Sequence, residues 1–416
     1  MSPSCQSPSE DRQRAPSFAY GREIAHRPPA TSSSPLRNRP RRLAALVLAL
    51  CLLGAAVAVA VFGRHNDNKA STQGSTTSTT AHPSSSSSSS TSSTVPPAKA
   101  TVTISAVGDT MLGDTPVFPP DPATYFDAVK SELDSGANIV FGNLEGTLTT
   151  SSTSKCGSGG PAEECYAFRD PPSFVQYYKD AGFTILNDAN NHSEDFGPAG
   201  QAQTVQTIHA AGLAQAGLPG EITVVKANGV KVAFCDFAPY SYDANLLDLP
   251  AAHSLIEKAR TEANFVVVYM HAGAEGSDAD IVTGQEEYYL GEDRGNAEAF
   301  AHMAIDSGAS LVIASGPHVL RGMQFYKGHL IAYSLGDFAN YEDFSIAGNL
   351  DISVILHVTL SATGRFESAR IYPIEFIGAG QPVPGGGAIS FVSQLSAQNF
   401  GASAAHFSAT GVITAP

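Results

Sequence analysis

Five short apolar or β-branched runs, far apart in the chain, each stop just before a residue that can ligate a metal. Thr101–Val107 leads into Gly108-Asp109, Ile139–Phe141 into Asn143 and Glu145, and Phe183–Leu186 into Asn190-Asn191-His192. Phe265–Met270 leads into His271, and Leu311–Ala314 into Gly316-Pro317-His318. Runs of this length, followed by turn residues, read as strands. In a sheet-based enzyme strand ends converge on one crevice, so side chains distant in sequence can meet there. A single Asp or His after a strand says little. An ordered Asp, Glu, Asn-His, His, His series says more, because carboxylate, amide oxygen and imidazole are the donors a hydrolytic metal centre uses.

The start of the chain reads as something other than a folded domain. Residues 1–42 are rich in Pro, Ser and Arg without apolar periodicity, a composition that buries no core and reads as a disordered basic tail. Leu43–Phe62 is an uncharged apolar run of 20 residues, closed by Arg64. At 1.5 Å per residue it reaches roughly 30 Å, enough to span a bilayer. The arginine excess before it predicts a cytosolic N-terminus, a single-pass anchor in the cell membrane and an extracellular remainder. Ala58-Val59-Ala60 leaves cleavage as a signal peptide open, although the leader and apolar stretch are long for one. Residues 63–98 are dominated by Ser and Thr, with Ser84–Ser90 unbroken, and read as a disordered linker. Its contour is roughly 120 Å and its coil average nearer 35 Å.

A folded domain is expected over 99–377, with a Gly/Ala-rich tail over 378–416. The chain carries a formal charge of −15 and most of its acid lies in this exported part. No basic patch is present to neutralise phosphates, which excludes nucleic acid as a partner. Cys156 and Cys165, nine positions apart in a Gly/Ser/Pro-rich loop, predict a disulfide in an exported domain. Two free loop thiols are the alternative. Cys235, inside Val232-Ala233-Phe234-Cys235, reads as a small buried hydrophobe.

Helices are predicted over Tyr125–Leu133, Ala199–Ala211, Ala251–Ala263 and Asn296–Ser307, the second stopped by Gly212 and the last by Gly308. Asn228-Gly229 between Ile222–Val225 and Val230–Phe234 predicts a hairpin. Gly322–Tyr326, Leu330–Tyr333, Asp351–Leu360 and Phe366–Ile377 read as strands. Alternating strands and helices, then a run of strands, predict an α/β layered sandwich of two mixed sheets flanked by helices.

The motifs at these strand ends resemble those of the bacterial capsule-synthesis CapA family, the poly-γ-glutamate capsule proteins, itself similar to calcineurin-like metallophosphoesterases. They are Gly108-Asp109-Thr110-Met111-Leu112-Gly113, Gly142-Asn143-Leu144-Glu145-Gly146-Thr147, Asn190-Asn191-His192 with Asp195-Phe196-Gly197, His271-Ala272-Gly273-Ala274-Glu275, Gly316-Pro317-His318-Val319 and Ser334-Leu335-Gly336-Asp337. The resemblance implies metal ligation by Asp109, Glu145, Asn191, His271 and His318, with Glu145 bridging two ions. It implies that His192 donates a proton or holds substrate. It also implies a divalent cofactor, Mn, Fe or Zn, as one or two ions, and partners among capsule-synthesis membrane proteins and an anionic envelope polymer or its precursor. The chain departs from the pattern at Met111 and Gly316, where imidazoles are common, and at Asp337, where Asn is. Two imidazoles are missing, so one ion or two remains open, with Asp114 or Asp337 as substitute ligands. Three functions follow: a metal-dependent hydrolase-like capsule protein, a non-catalytic polymer-binding or assembly factor with a degenerate site, and an extracellular phosphoesterase. A serine nucleophile is disfavoured, since no Gly-x-Ser-x-Gly elbow stands in a strand-to-helix context.

Overall fold

The computed structural model describes residues 100–157 and 165–416. The basic tail, apolar helix and Ser/Thr linker expected before residue 99 lie outside the described residues. Among the described residues, no helix is long and apolar enough to cross a membrane.

The chain begins in a larger sheet with β1 (Thr101–Met111), β2 (Ile139–Leu144), β3 (Ile185–Asn187) and β4 (Ala214–Ala216). It then builds a smaller sheet from β5 (Thr223–Ala227), β6 (Val230–Phe237), β7 (Phe265–His271), β8 (Leu311–Ser315), β9 (Met323–Tyr326) and β10 (His329–Ala332). It returns to the larger sheet with β11 (Asp337–Asn340), β12 (Ile352–Ser361), β13 (Phe366–Ile377), β14 (Gln381–Pro384), β15 (His406–Phe407) and β16 (Val412–Thr414). The larger sheet runs β15-β16-β13-β12-β1-β2-β3-β4, with β11 also on β1 and β14 on β13; the smaller runs β9-β10-β8-β7-β6-β5. Both are mixed. β1 to β4 are parallel, as are β6, β7, β8 and β10, while β12, β13 and the β5–β6 hairpin are antiparallel.

Side-chain alternation explains how the sheets stack. Val102, Ile104 and Ala106 of β1 share one core with Val230, Val232 and Phe234 of β6, and with Phe265, Val267 and Tyr269 of β7. The intervening Ala233, Cys235, Val266 and Val268 face the other way, onto Ile256 and Phe300 of the helices Leu249–Glu262 and Ala297–Ser307. On the far side of the larger sheet, Val140 and Leu186 meet Val175, Tyr178 and Ile208 of the helices Val175–Ala181 and Gly197–Ala210. The period of 2 thus sorts each strand between an inner sheet-on-sheet core and an outer helix-covered one. The β5–β6 turn is carried by Asn228 at φ 49° and Gly229 at φ 78°, as a two-residue hairpin requires.

Two expectations need correction. The helix expected over Tyr125–Leu133 is reduced to Lys130–Asp134. Before it, Tyr125, Asp127 and Val129 each donate to the carbonyl three residues back, and the Phe126 ring is drawn in against Tyr178, Phe183 and Phe338. Burial of adjacent aromatics therefore outweighs local helix propensity.

The segment 378–416 is part of the fold. β14 and β16 pair with β13, and a helix at Ala388–Phe400 buries Ala388, Val392, Leu395, Ser396 and Phe400. Its glycines permit close packing where they suggested slack: a Cβ at Gly380 would run into the Asn340 carbonyl, and one at Gly411 into that of Ile371.

Candidate metal centre

Strand register sets the first half of the site. β1 lies between β2 and β11, with Asp109 opposite both Asn143 and Asp337, and its ladder shifts register on either side of Asp109. Gly108 lets β11 come this close, because a Cβ there would collide with the Gly336 carbonyl, whose oxygen accepts the Asp109 amide at 3.0 Å. Across the sandwich, β7 and β8 pair His271 with Ser315 as their last residues. The carboxyl ends of both parallel sets thus face one another, the usual location of a ligand crevice in such folds.

The side chains close on one another. Asn143 donates through Nδ2 to Asp109 Oδ1 at 2.7 Å and also to Glu145 Oε2. Its Oδ1 accepts from Asn187 at 2.6 Å and Asn190 at 3.0 Å. Ser315 Oγ donates to Asp109, the Gly316 amide donates to Asp109 Oδ2 at 3.2 Å, and the Tyr269 hydroxyl reaches His271 Nδ1 at 3.1 Å. His318 Nδ1 sits between two carboxylates, 2.8 Å from Asp337 Oδ1 and 3.3 Å from Asp109 Oδ2. Around Glu145 Oε1 stand three imidazole Nε2 atoms, of His271 at 3.6 Å and of His192 and His318 at 4.0 Å each.

Two groups of ligand atoms, each within 4.8 Å of one another, follow: Asp109, Glu145 and His271, and Asp109, His318 and Asp337. All five residues are buried. Glu145 Oε1, His271 Nε2, His318 Nε2 and Asn191 Oδ1 are buried without a hydrogen-bond partner. Orphaned polar atoms of this kind are costly unless something bonds to them. A carboxylate–imidazole set left open in this way fits a divalent ion.

His192 completes the wall. Asp195 Oδ2 holds its Nδ1 at 2.8 Å, and the Phe168 ring lies on its imidazole at 4.5 Å. Asn191 and His192 line a cleft of about 740 Å³ together with Glu275, Arg294, His318 and Phe344. The Phe344 ring stacks on His318 at 4.2 Å.

Asp109, Glu145, Asn191, His192, His271 and His318 are therefore brought to one place. Asp337, offered from sequence only as a substitute, stands in the second group. Asp114 does not: its Oδ1 accepts the Arg169 amide at 3.0 Å. The common carboxylate of the two groups is Asp109, where the resemblance gave the bridging role to Glu145. Sequence assigned no role to Asn143, Tyr269, Ser315 or Asp195, although Asn143 was noted at a strand end. Only the position of Asn143 and Asp195 inside quoted motifs signalled them.

Charge in the centre is uneven. Burial opposes ionisation of Asp109, but His318 and His271 outweigh it and hold the carboxyl below its usual range. Burial and then the charge on Asp109 push Glu145 well up, while burial drives His271 down to about 3. Burial disfavours a charge on His318, yet Asp337 and Asp109 together raise it well above an ordinary histidine. A proton on His318 thus does, between two carboxylates, what a bound cation would do there.

Two expected outcomes arise here. Gly316 has φ +111°, and a Cβ would lie 3.0 Å from the His271 ring. Gly316→His is therefore expected to strain the turn by about 1–3 kcal/mol and to disturb His271. Calorimetry and metal content would check this, and a gain of metal would contradict it.

Asp343 is pushed up to about 8 by burial, with Asp114 and Glu342 adding repulsion. A carboxyl whose folded pKa lies above its unfolded value near 3.9 favours folding fully below that value. That contribution is lost as pH rises through about 8. Asp343→Asn should flatten the fall in urea midpoint between pH 4 and 8.

The family model described as bacterial capsule synthesis protein PGA_cap matches residues 103–342. The chain belongs to that family. Its relatives include the PGA biosynthesis protein CapA of Bacillus subtilis, 28% identical over 289 residues, covering 65% of this chain and 71% of the relative. The capsule biosynthesis protein CapA of Bacillus anthracis is 32% identical over 185 residues, 39% of this chain and 42% of that protein. Among solved structures, purple acid phosphatase PPD1 from yellow lupin overlaps with a TM-score of 0.33 at 9% identity, over 69% of this chain and 54% of that one. That overlap is too slight to bear on the chemistry of this PGA_cap domain.

Proposed function

We propose that this PGA_cap protein is a membrane-anchored, extracellular component of capsule or poly-γ-glutamate biosynthesis with a metal-dependent hydrolase-like site. Its substrate is an anionic envelope polymer or its precursor, and its partners are capsule-synthesis membrane proteins. The observation that carries this reading is the pair of three-residue ligand groups sharing Asp109.

Asp109, Glu145 and His271 would hold one ion, and Asp109, His318 and Asp337 the other, with Asn191 at the rim. The mixed oxygen and imidazole set suits Mn, Fe or Zn. Bound there, a divalent ion supplies Lewis acidity and lowers the pKa of water. Asn143 braces Asp109 and Glu145 at once, so neither carboxylate can swing away. Asp195 fixes His192 through Nδ1, which leaves Nε2 to exchange a proton with the substrate. Phe168 and Phe344 cover the two imidazoles and keep bulk water from them.

A second reading, a polymer-binding factor without turnover, draws on Gly316, where an imidazole is common in the family. Elemental analysis of the full chain, followed by incubation of the loaded protein with poly-γ-glutamate, separates the two. Bound metal with shortening of the polymer supports the hydrolase. Polymer retained without shortening supports the binder, and neither metal nor polymer bound overturns both.

A further inference from the structure

Two chain segments bond to Asp195, each reaching a different carboxylate oxygen, and the disulfide joins them. From one segment, the Lys155 amide donates to the Asp195 carbonyl at 2.7 Å, and Lys155 Nζ lies 2.6 Å from Asp195 Oδ1. The same ammonium donates to the Asn191 carbonyl at 3.0 Å. From the other segment, the Phe168 amide donates to Asp195 Oδ2 at 2.6 Å, and its ring covers His192. Cys156 follows Lys155 directly, and Cys165 stands three residues before Phe168; the two are bonded, with Cα atoms 5.7 Å apart. Neither cysteine belongs to a hydrophobic core, whereas Lys155 and Cys165 line the cleft beside His192.

We infer that Lys155 and the Cys156–Cys165 cross-link form one clamp that positions Asp195, and through it His192, at the wall of the cleft. The Asp195 side chain is fully buried, so its charge needs a fixed partner, and Lys155 is the cation beside it. Lys155 is itself about one-third exposed and long, so it would lose that geometry readily without a local tether. The cross-link is that tether. Lys155 is a positioning residue, and its effect on reaction rests on the proton-exchanging role proposed for His192.

The test reads geometry, so it stands apart from whether the protein turns over any substrate. Amide hydrogen exchange and carbethoxylation of His192 by diethylpyrocarbonate, both followed by mass spectrometry, are measured on the full chain after metal removal. Cys156→Ser with Cys165→Ser should raise exchange at Lys155, Phe168 and Asp195, and the labelling rate of His192, by about tenfold or more. That is the response to losing one hydrogen bond to a charged group. Exchange in β1, β7 and β8 should stay unchanged. Lys155→Met should give the same local pattern with the disulfide intact, and Lys155→Arg should restore most of the protection. Unchanged exchange and labelling in the serine pair would overturn the clamp, as would loss of protection throughout the domain, which marks a general staple. Protection retained in Lys155→Met would overturn the route through Lys155.

Discussion

If each of the two ligand groups holds an ion, as proposed, Asp109→Ala is expected to strip both from the purified chain, while Glu145→Ala removes one. Asp109 is the residue common to the two ligand groups, each of which has its own second carboxylate, Glu145 or Asp337. Removing a shared carboxylate leaves an imidazole and one acid at each position, too few donors for tight binding. Loss of an outer partner of a ligand already costs about 10–100-fold in metal affinity, so loss of the shared ligand should exceed about 100-fold. Metal per chain by elemental analysis would show it directly. Greater depletion in Glu145→Ala would return the bridging role to Glu145, and equal depletion would mean a single ion. Retention of one ion in Asp109→Ala would show that the groups do not share that carboxylate.

Gly108→Ala is expected both to destabilise the domain and to damage the metal centre. The added Cβ has nowhere to go except into the Gly336 carbonyl, which is backbone and accepts the Asp109 amide at 3.0 Å. Relief requires β11 to move away from β1, which breaks the pairing of Asp109 with Asp337. Overpacking of this kind costs about 1–3 kcal/mol, and here it also separates two ligands of one group. The variant should lose several degrees of Tm and the ion held by Asp337, while the ion on Glu145 and His271 is weakened less. A melt and metal content matching the parent would show that β1 and β11 can part without consequence. Gly136, by contrast, has open space at its Cβ, so only backbone strain would be felt there.

The central strands were legible as short apolar and β-branched runs, which the fold buries along their length, and Phe366–Ile377 as a partly alternating one. Phe366–Ile377 reads as a strand in both sequence and structure, and the Asn228-Gly229 turn announces its hairpin. Local chemistry misled where packing decides. The helix at Ala388–Phe400 buries Ala388, Val392 and Leu395 on one face, yet its small residues and flanking glycines read as a tail. Tyr125 and Phe126 read as helix formers, but their side chains are taken up by the aromatic cluster under the larger sheet.

The ligand set divides in the same way. That Asp109, Glu145, His192, His271 and His318 belong together follows from their positions at strand ends, since parallel strands bring their carboxyl ends to one side. Which carboxylate is shared could not be read from them. It depends on β11 returning to pair with β1 after the chain has built the entire smaller sheet, which places Asp337 beside Asp109. The grip of Lys155 and Phe168 on Asp195 depends likewise on contacts between segments that share no secondary structure. Sequence by itself determined the residue types at the strand ends, because periodicity and donor chemistry are local. Tertiary structure decided how they are shared, because a ligand distance is set by the register of strands distant in the chain.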